Sequence, residues 1–268
     1  MPLDEVALET LGLAPMWLRR GTQAAASAVA TQTPRSGDVV DVVDVVALEE
    51  ARPTSDAPGA WASEALPSSP DRAAAVTTLD WDALEARVAT CELCRLCEKR
   101  TNTVFGVGDR EADWMLIGEA PGENEDKQGE PFVGQAGKLL DSMLRALELE
   151  RGRNVYIANV VKCRPPGNRN PEPDEVGRCE PYLQRQVALV KPKLIVALGR
   201  VAAQNLLKSD ASISSLRGRV HRYENVPVVV TYHPAYLLRS LPDKAKAWAD
   251  LCLAHDTYRQ ALAEQAAQ

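Results

Sequence analysis

The apolar run Val155–Val161 constrains this chain more than any other stretch. It is β-branched and nearly unbroken, the mark of a strand covered on both faces. Its one polar residue, Asn159, sits near the end, and Lys162, Cys163, Arg164 and the loop Pro165-Pro-Gly-Asn-Arg-Asn-Pro171 follow at once. A strand that runs into such a loop, and then into a helical pattern over Asp174–Val190, is how α/β proteins present binding groups at the carboxyl ends of their strands.

The pattern recurs. Trp114–Gly118 reads as a strand and Gly137–Glu148 as an amphipathic helix. Leu194–Leu198 is a third strand, stopped by Gly199, with Val201–Lys208 helical after it. Val226–Tyr232 is a fourth, followed by His233-Pro234 and a last helix over about Lys244–Ala263. Strand–helix alternation predicts a parallel sheet with helices on both faces. The expected fold is therefore α/β: a three-layer αβα body with a four-stranded parallel sheet over residues 78–268.

Residues 1–77 are rich in Ala, Ser, Thr, Pro and Asp and read as a mostly disordered extension. The tandem Asp-Val-Val of 38–46 either belongs to that linker or pairs as a strand. Near the start, a short helical pattern broken by Gly12 and Pro15 carries Met16-Trp17-Leu18, which either docks a protein partner or packs on the body. The formal charge of −6 is unevenly spread: 12 acidic against 5 basic residues give −7 over residues 1–80, and the other 25 acidic and 26 basic residues give +1. The acidic tail thus hides a near-neutral body, and the whole-chain charge does not exclude nucleic acid as a partner. No apolar run approaches the ~18 residues that cross a bilayer. Asp4, Glu5 and Glu9 stand where a signal peptide would be basic. A cytoplasmic monomer with no membrane partner is the expectation.

Six cysteines are many for such a compartment, where clustered thiols point to metal or catalysis rather than to disulfides. Cys91-x2-Cys94 lets two thiolates face one ion, and Cys163 and Cys179 bracket the loop after the second strand. Four thiolates suit either zinc or a [4Fe–4S] cluster, and the spacing does not separate them. Cys97 extends the pair to C-x2-C-x2-C, while Cys252 lies in an apolar helical run and reads as a core thiol.

The strand ends carry the other candidates. Strand one runs into Gly118-Glu-Ala-Pro-Gly-Glu-Asn-Glu-Asp126, where glycine permits close approach of a ligand and Glu119 leaves the sheet at its carboxyl edge. Phe132, one of two phenylalanines, lies between glycines in Gly129-Glu-Pro-Phe-Val-Gly134, off any periodic apolar face, and suits stacking on a planar ligand. The Asn159 amide offers a donor and an acceptor, which matches the N3–H and O4 edge of uracil. His233, one of three histidines, stands just past the fourth strand. Lys162, Arg164, Arg169, Arg217, Arg219 and Arg239 thicken the basic charge of the loops and are candidate DNA contacts, as Arg222 is.

Gly118-Glu-Ala-Pro-Gly122, Pro131-Phe-Val-Gly134, Asn159-Val-Val-Lys-Cys-Arg-Pro-Pro166 and His233-Pro-Ala-Tyr236, with the cysteine pair ahead of them, resemble the iron–sulfur (family 4) uracil-DNA glycosylases over roughly residues 85–265. The resemblance implies a [4Fe–4S] cluster held by Cys91, Cys94, Cys163 and Cys179, structural rather than redox-active in turnover. It implies action on uracil-containing DNA, single- or double-stranded, with release of uracil and an abasic site left behind. Gly118, Glu125, Phe132, Asn159 and His233 would then bind uracil. His233 would stabilise the departing anion, and Glu119 would position water, with Asn168 and Glu125 as second choices. Glu125 would otherwise crowd the uracil 5-position and exclude thymine. Cys97 departs from the family, which often has an apolar residue there. The related class that bonds covalently to uracil carries a basic insert with a histidine after the second strand; Pro-Gly-Asn-Arg-Asn-Pro here argues against that chemistry. The competing reading is a catalytically weak module that binds uracil-containing DNA through a metal-stabilised loop.

Overall fold

The computed structural model describes residues 76–266; the extension, with Met16–Leu18 and the Asp-Val-Val repeat, lies outside the described residues. Helix α1 (Trp81–Ala89) opens at Asp80, whose carboxylate accepts the Ala83 amide at 2.9 Å, and a one-turn 3₁₀ segment (Arg95–Glu98) follows. Then come β1 (Val107–Gly108), β2 (Trp114–Gly118), α2 (Glu123–Gln128), α3 (Gln135–Arg145), β3 (Val155–Asn159) and α4 (Pro173–Val190). The chain continues through β4 (Leu194–Leu198), α5 (Arg200–Leu207), α6 (Ile213–Leu216), β5 (Val220–Tyr223), β6 (Val226–Thr231), α7 (Pro234–Leu237) and α8 (Lys244–Ala266). Among the described residues no helix is long and apolar enough to cross a membrane.

Among the described residues the sheet has six strands, in the order β1-β3-β2-β4-β6-β5. This corrects the expected four. The inner strands β3, β2, β4 and β6 are all parallel, and each edge adds one antiparallel strand. The edges escaped the sequence reading for physical reasons. β1 is two residues long, and β5 is a solvent-washed Val-His-Arg-Tyr with a single buried member. β5 returns to β6 through Glu224 and Asn225, both at positive φ, the tight hairpin that the sheet's twist favours.

Every residue of β2, β3 and β4 is buried, as strands covered on both faces must be. Alternate side chains divide between two cores. Met115, Ile117, Tyr156, Ala158, Ile195, Ala197, Val228 and Val230 pack with α4 and α5. Trp114, Leu116, Val155, Ile157, Leu194, Val196 and Val229 pack with Leu140 and Leu144 of α3 and Ala254 of α8. Each Val, Leu, Ile or Met side chain among these contributes about 1.5–3 kcal/mol by leaving water. β3 ends at Asn159, two residues before the apolar run does, because β2 stops at Gly118; the Val160 and Val161 amides instead donate to the Gly118 and Glu119 carbonyls.

Helix α3 starts against the loop that carries Phe132. A Cβ on Gly137 would overlap the Phe132 carbonyl oxygen and lie 3.2 Å from its Cα. Gly137→Ala should therefore destabilise the fold by about 1–3 kcal/mol through overpacking. Thermal unfolding checks this, and an unchanged midpoint would mean that the helix and loop can separate at no cost.

Candidate active site and cysteine cavity

All four parallel strands finish on one side of the sheet, and the chain moves from β2 out to β3 before returning past β2 to β4. Such a reversal, here between β2 and β4, is where α/β sheets bind ligands at the carboxyl ends of their strands. Gly118 ends β2 there. A Cβ on it would overlap the Asn159 Oδ1 and come within 2.7 Å of the Phe132 ring. Phe132 stacks on His233, with ring centroids 5.5 Å apart at 29°. Gly199, after β4, sits at φ +94°, and a Cβ on it would reach 2.8 Å from the His233 Cβ. Residues distant in the chain, Gly118, Phe132, Asn159 and His233, are thus one contiguous group.

Asn159 is 2% exposed, and its Oδ1 has no hydrogen-bond partner. A buried acceptor left so costs about 1–3 kcal/mol, which a donor on a bound ligand would offset. The His233 Nδ1 accepts the Ala235 amide at 3.1 Å, so in the neutral ring the proton sits on Nε2. Desolvation pushes the His233 pKa down to about 4, with Arg239 acting in the same direction and Glu125 against it. Glu119 follows β2 half-buried; burial raises its carboxyl above the ordinary range, and the Arg200 guanidinium opposes that shift.

Phe132 is 6% exposed and holds φ at +56°, a strained conformation for an aromatic residue. Two clamps maintain it. Glu125 accepts the Val133 and Gly134 amides through Oε1, at 2.9 and 3.1 Å, and the Gly122 amide through Oε2. Arg151 donates to the Pro131 carbonyl at 2.8 Å and the Phe132 carbonyl at 2.9 Å while paired with Asp141. Glu125 thus holds the loop that carries Phe132, and its charge also acts on His233. Asn168 is exposed, and its Oδ1 accepts from the Arg164 Nε at 2.7 Å. Among the described residues no hydrogen bond or ring contact joins it to Phe132, Asn159 or His233.

Three of the expected DNA contacts are paired with other groups of the protein, Arg169 while still exposed. Lys162 is 1% exposed, and its ammonium donates to the Asn159 carbonyl at 2.9 Å and the Gln186 Oε1 at 2.6 Å. Burial lowers its pKa to about 8. Arg169 grips the Glu175 carboxylate with both arms, at 2.7 and 2.8 Å. Arg217, 12% exposed, pairs with Asp250 at 2.6 Å and lies 4.3 Å over the Tyr232 ring. A basic residue in a loop looks alike in sequence whether it meets solvent or a buried acid. Arg219 and Arg239 do stand exposed, and Arg164 is partly so, loosely paired with Glu123 at 3.5 Å.

The cysteines of the two segments meet. Cys91, Cys94, Cys97, Cys163 and Cys179 line one cavity with Arg100, Lys162 and Tyr182. The Arg100 Nη1 donates to the Cys163 Sγ at 3.2 Å, the Lys162 amide to the Cys179 Sγ at 3.3 Å and the Tyr182 hydroxyl to the Cys91 Sγ at 3.4 Å. Burial pushes the Cys94 thiol up to about 11 and Cys179 to about 12, so a cation is what would turn them into thiolates. Among the described residues no group of three His, Cys, Asp or Glu is arranged to hold a metal ion. Arg100 and Arg151 carried no sequence signal; each is one basic residue in a polar stretch.

The family description that matches this chain is the uracil DNA glycosylase superfamily, over residues 105–252. The type-4 uracil-DNA glycosylase of Sulfurisphaera tokodaii is 48% identical over 164 residues, 58% of this chain and 74% of that protein. The type-4 enzyme of Archaeoglobus fulgidus is 47% identical over 165 residues, 59% of this chain and 82% of that protein. A type-5 uracil-DNA glycosylase of Pyrobaculum aerophilum is 32% identical over 146 residues, 48% of this chain and 64% of that protein. With its strand ends gathered as described and its identity highest to the type-4 proteins among these, the chain belongs to the uracil DNA glycosylase superfamily as a type-4 member.

Proposed function

We propose that this chain hydrolyses the N-glycosidic bond of deoxyuridine in DNA, releasing uracil and leaving an abasic site. The observation that carries the reading is the meeting of Phe132, Asn159 and His233 beside Gly118 at the carboxyl ends of parallel strands. A stacked base hides its glycosidic carbon, so the nucleotide must be flipped out or met unpaired. Phe132 supplies the stacking face. A base between two rings needs about two van der Waals spacings of ~3.5 Å, and the Phe132 and His233 centroids are 5.5 Å apart. His233 therefore meets the base at its edge. The unpaired Asn159 Oδ1 accepts the uracil N3–H, while the amide nitrogen donates to O4. The Gly118 hydrogen, in place of a methyl, keeps these two side chains in contact across the strand end.

Bond cleavage leaves a cationic sugar and a uracil anion. The His233 Nε2–H, neutral at physiological pH and so in no need of losing a proton first, donates to O2 of that anion. DNA phosphates flanking the flipped sugar stabilise its positive charge, and water attacks the sugar carbon. Glu119, at the end of β2 with a raised pKa, positions that water. Asn168 takes no part in this geometry. Arg219, Arg239 and Arg164 contact phosphates, and the strength of that contact is readable in salt. Arg219→Ala or Arg239→Ala should reduce the slope of log K against log salt by about 0.9. Arg217→Ala should leave the slope alone, and equal slopes in all three would remove these arginines from the interface.

Cys91, Cys94, Cys163 and Cys179 would hold a [4Fe–4S] cluster, whose contribution when bound would be to fasten the segment between α1 and the 3₁₀ turn to the loop after β3 and to α4. Arg100, Tyr182 and the Lys162 amide already donate to three of these sulfurs, as donors to thiolate ligands do. Lys162 links this region to Asn159 through the carbonyl it holds. Absorbance in the visible range distinguishes iron from zinc. Val76, two residues ahead of the expected start of the body, is buried in the core. Removing residues 1–75 should leave activity on naked DNA unchanged.

The deciding experiment is alkaline cleavage of a uracil-bearing oligonucleotide after incubation with the protein, as single strand, U·G and U·A duplex. Strand scission at the uracil position is expected. Tight binding without scission would establish the non-catalytic alternative.

A further inference from the structure

Five thiols line the cysteine cavity, one more than a four-thiolate site uses. The extra one is Cys97. Its position is imposed by the 3₁₀ segment Arg95–Glu98, for which Cys94 is the N-cap. The Cys97 amide donates to the Cys94 carbonyl at 3.2 Å, closing the single turn. Cys94, the extended N-cap, and Cys97, in the turn it opens, both line the cavity. Leu96, 2% exposed, anchors the turn in the core, and Arg95 and Glu98 face water. Cys94-x2-Cys97 also repeats the spacing of Cys91-x2-Cys94. Cys97 thus lines the same cavity as the four expected ligands, three residues after one of them.

Resting on the cluster reading, we infer that Cys97 is a reserve ligand, which takes the coordination position of Cys94 when that thiolate is lost. The exchange needs no oxidant or reductant. The Cys97 thiol releases its proton to solvent, and its sulfur lone pair binds the iron that Cys94 no longer holds.

Iron content and visible absorbance of the full chain test this. Cys97→Ser should match wild type. Cys94→Ser should keep about half or more of the wild-type iron, and the double variant C94S/C97S about a tenth or less. Because a double variant can also fail by misfolding, alkylation of the iron-loaded proteins gives a second reading. Cys97, partly exposed, should be modified in wild type and protected in Cys94→Ser until the iron is stripped. If Cys94→Ser loses iron as fully as the double variant, or if Cys97 is alkylated equally in both proteins, the inference fails while the cluster reading stands. A wild-type chain that binds no iron overturns both.

Discussion

Replacing His233 by alanine should slow single-turnover uracil release by about 10²–10³-fold, the usual loss when one donor to a developing anion is removed. Binding of uracil-bearing DNA should change far less, because the anion exists only as the bond breaks. The stacking on Phe132 and the backing by Gly199 place this ring, and its Nδ1 is already committed to the Ala235 amide. The same geometry sets the pH behaviour. With the folded pKa pushed down to about 4, the ring stays neutral well below its ordinary value of 6.5. The wild-type rate should therefore show no inflection near pH 6.5 attributable to His233. Stability moves the other way in acid. Between about 6.5 and 4 the unfolded chain binds a proton that the folded ring refuses, so the contribution present above that window is lost as pH falls through it. A rate that halves around pH 6.5 in wild type but not in His233→Ala would show that the imidazolium is the working form and sink this assignment.

Arg151→Ala should lower kcat/KM by about 10–100-fold, the scale of a displacement near 1 Å in a positioned group, although Arg151 lies on no strand end. Its two arms hold the Pro131 and Phe132 carbonyls, and without them Glu125 on the amide side is the one side-chain clamp left on the loop that keeps Phe132 at φ +56°, among the described hydrogen bonds. The stability cost should be smaller, about 1–2 kcal/mol, because the paired Asp141 is partly solvated. Lysine at 151 keeps the charge but not the fork that bridges two carbonyls, so it should restore stability more than activity. Full recovery of activity by Arg151→Lys would reduce the clamp to an ion pair.

Much of this site was legible in one dimension because parallel strands expose their chemistry where they end. Gly118, Asn159 and His233 each close or follow an apolar run, and Phe132 is an aromatic with no periodic face to join. What misled was charge. Lys162 and Arg169 neighbour a functional loop in sequence, yet the first is sealed under Asn159 and Gln186 and the second is bound to Glu175. Arg217, in another loop, is held by Asp250 and Tyr232. A long side chain can turn toward solvent or toward the core, and nothing local decides which. The clamp role of Glu125 was equally hidden, since acceptors for backbone amides are chosen by the loop that folds over them.

The sequence by itself determined the layered α/β body, the inner strands and the residues that their carboxyl ends deliver, because buried strands write a continuous apolar pattern and terminate in loops of different composition. Only the tertiary structure decided the two edge strands, the partners of each cation, the clamps on Phe132 and the gathering of five thiols around one cavity. Those depend on contacts between segments far apart in the chain, and pairing across such distances leaves no periodicity behind.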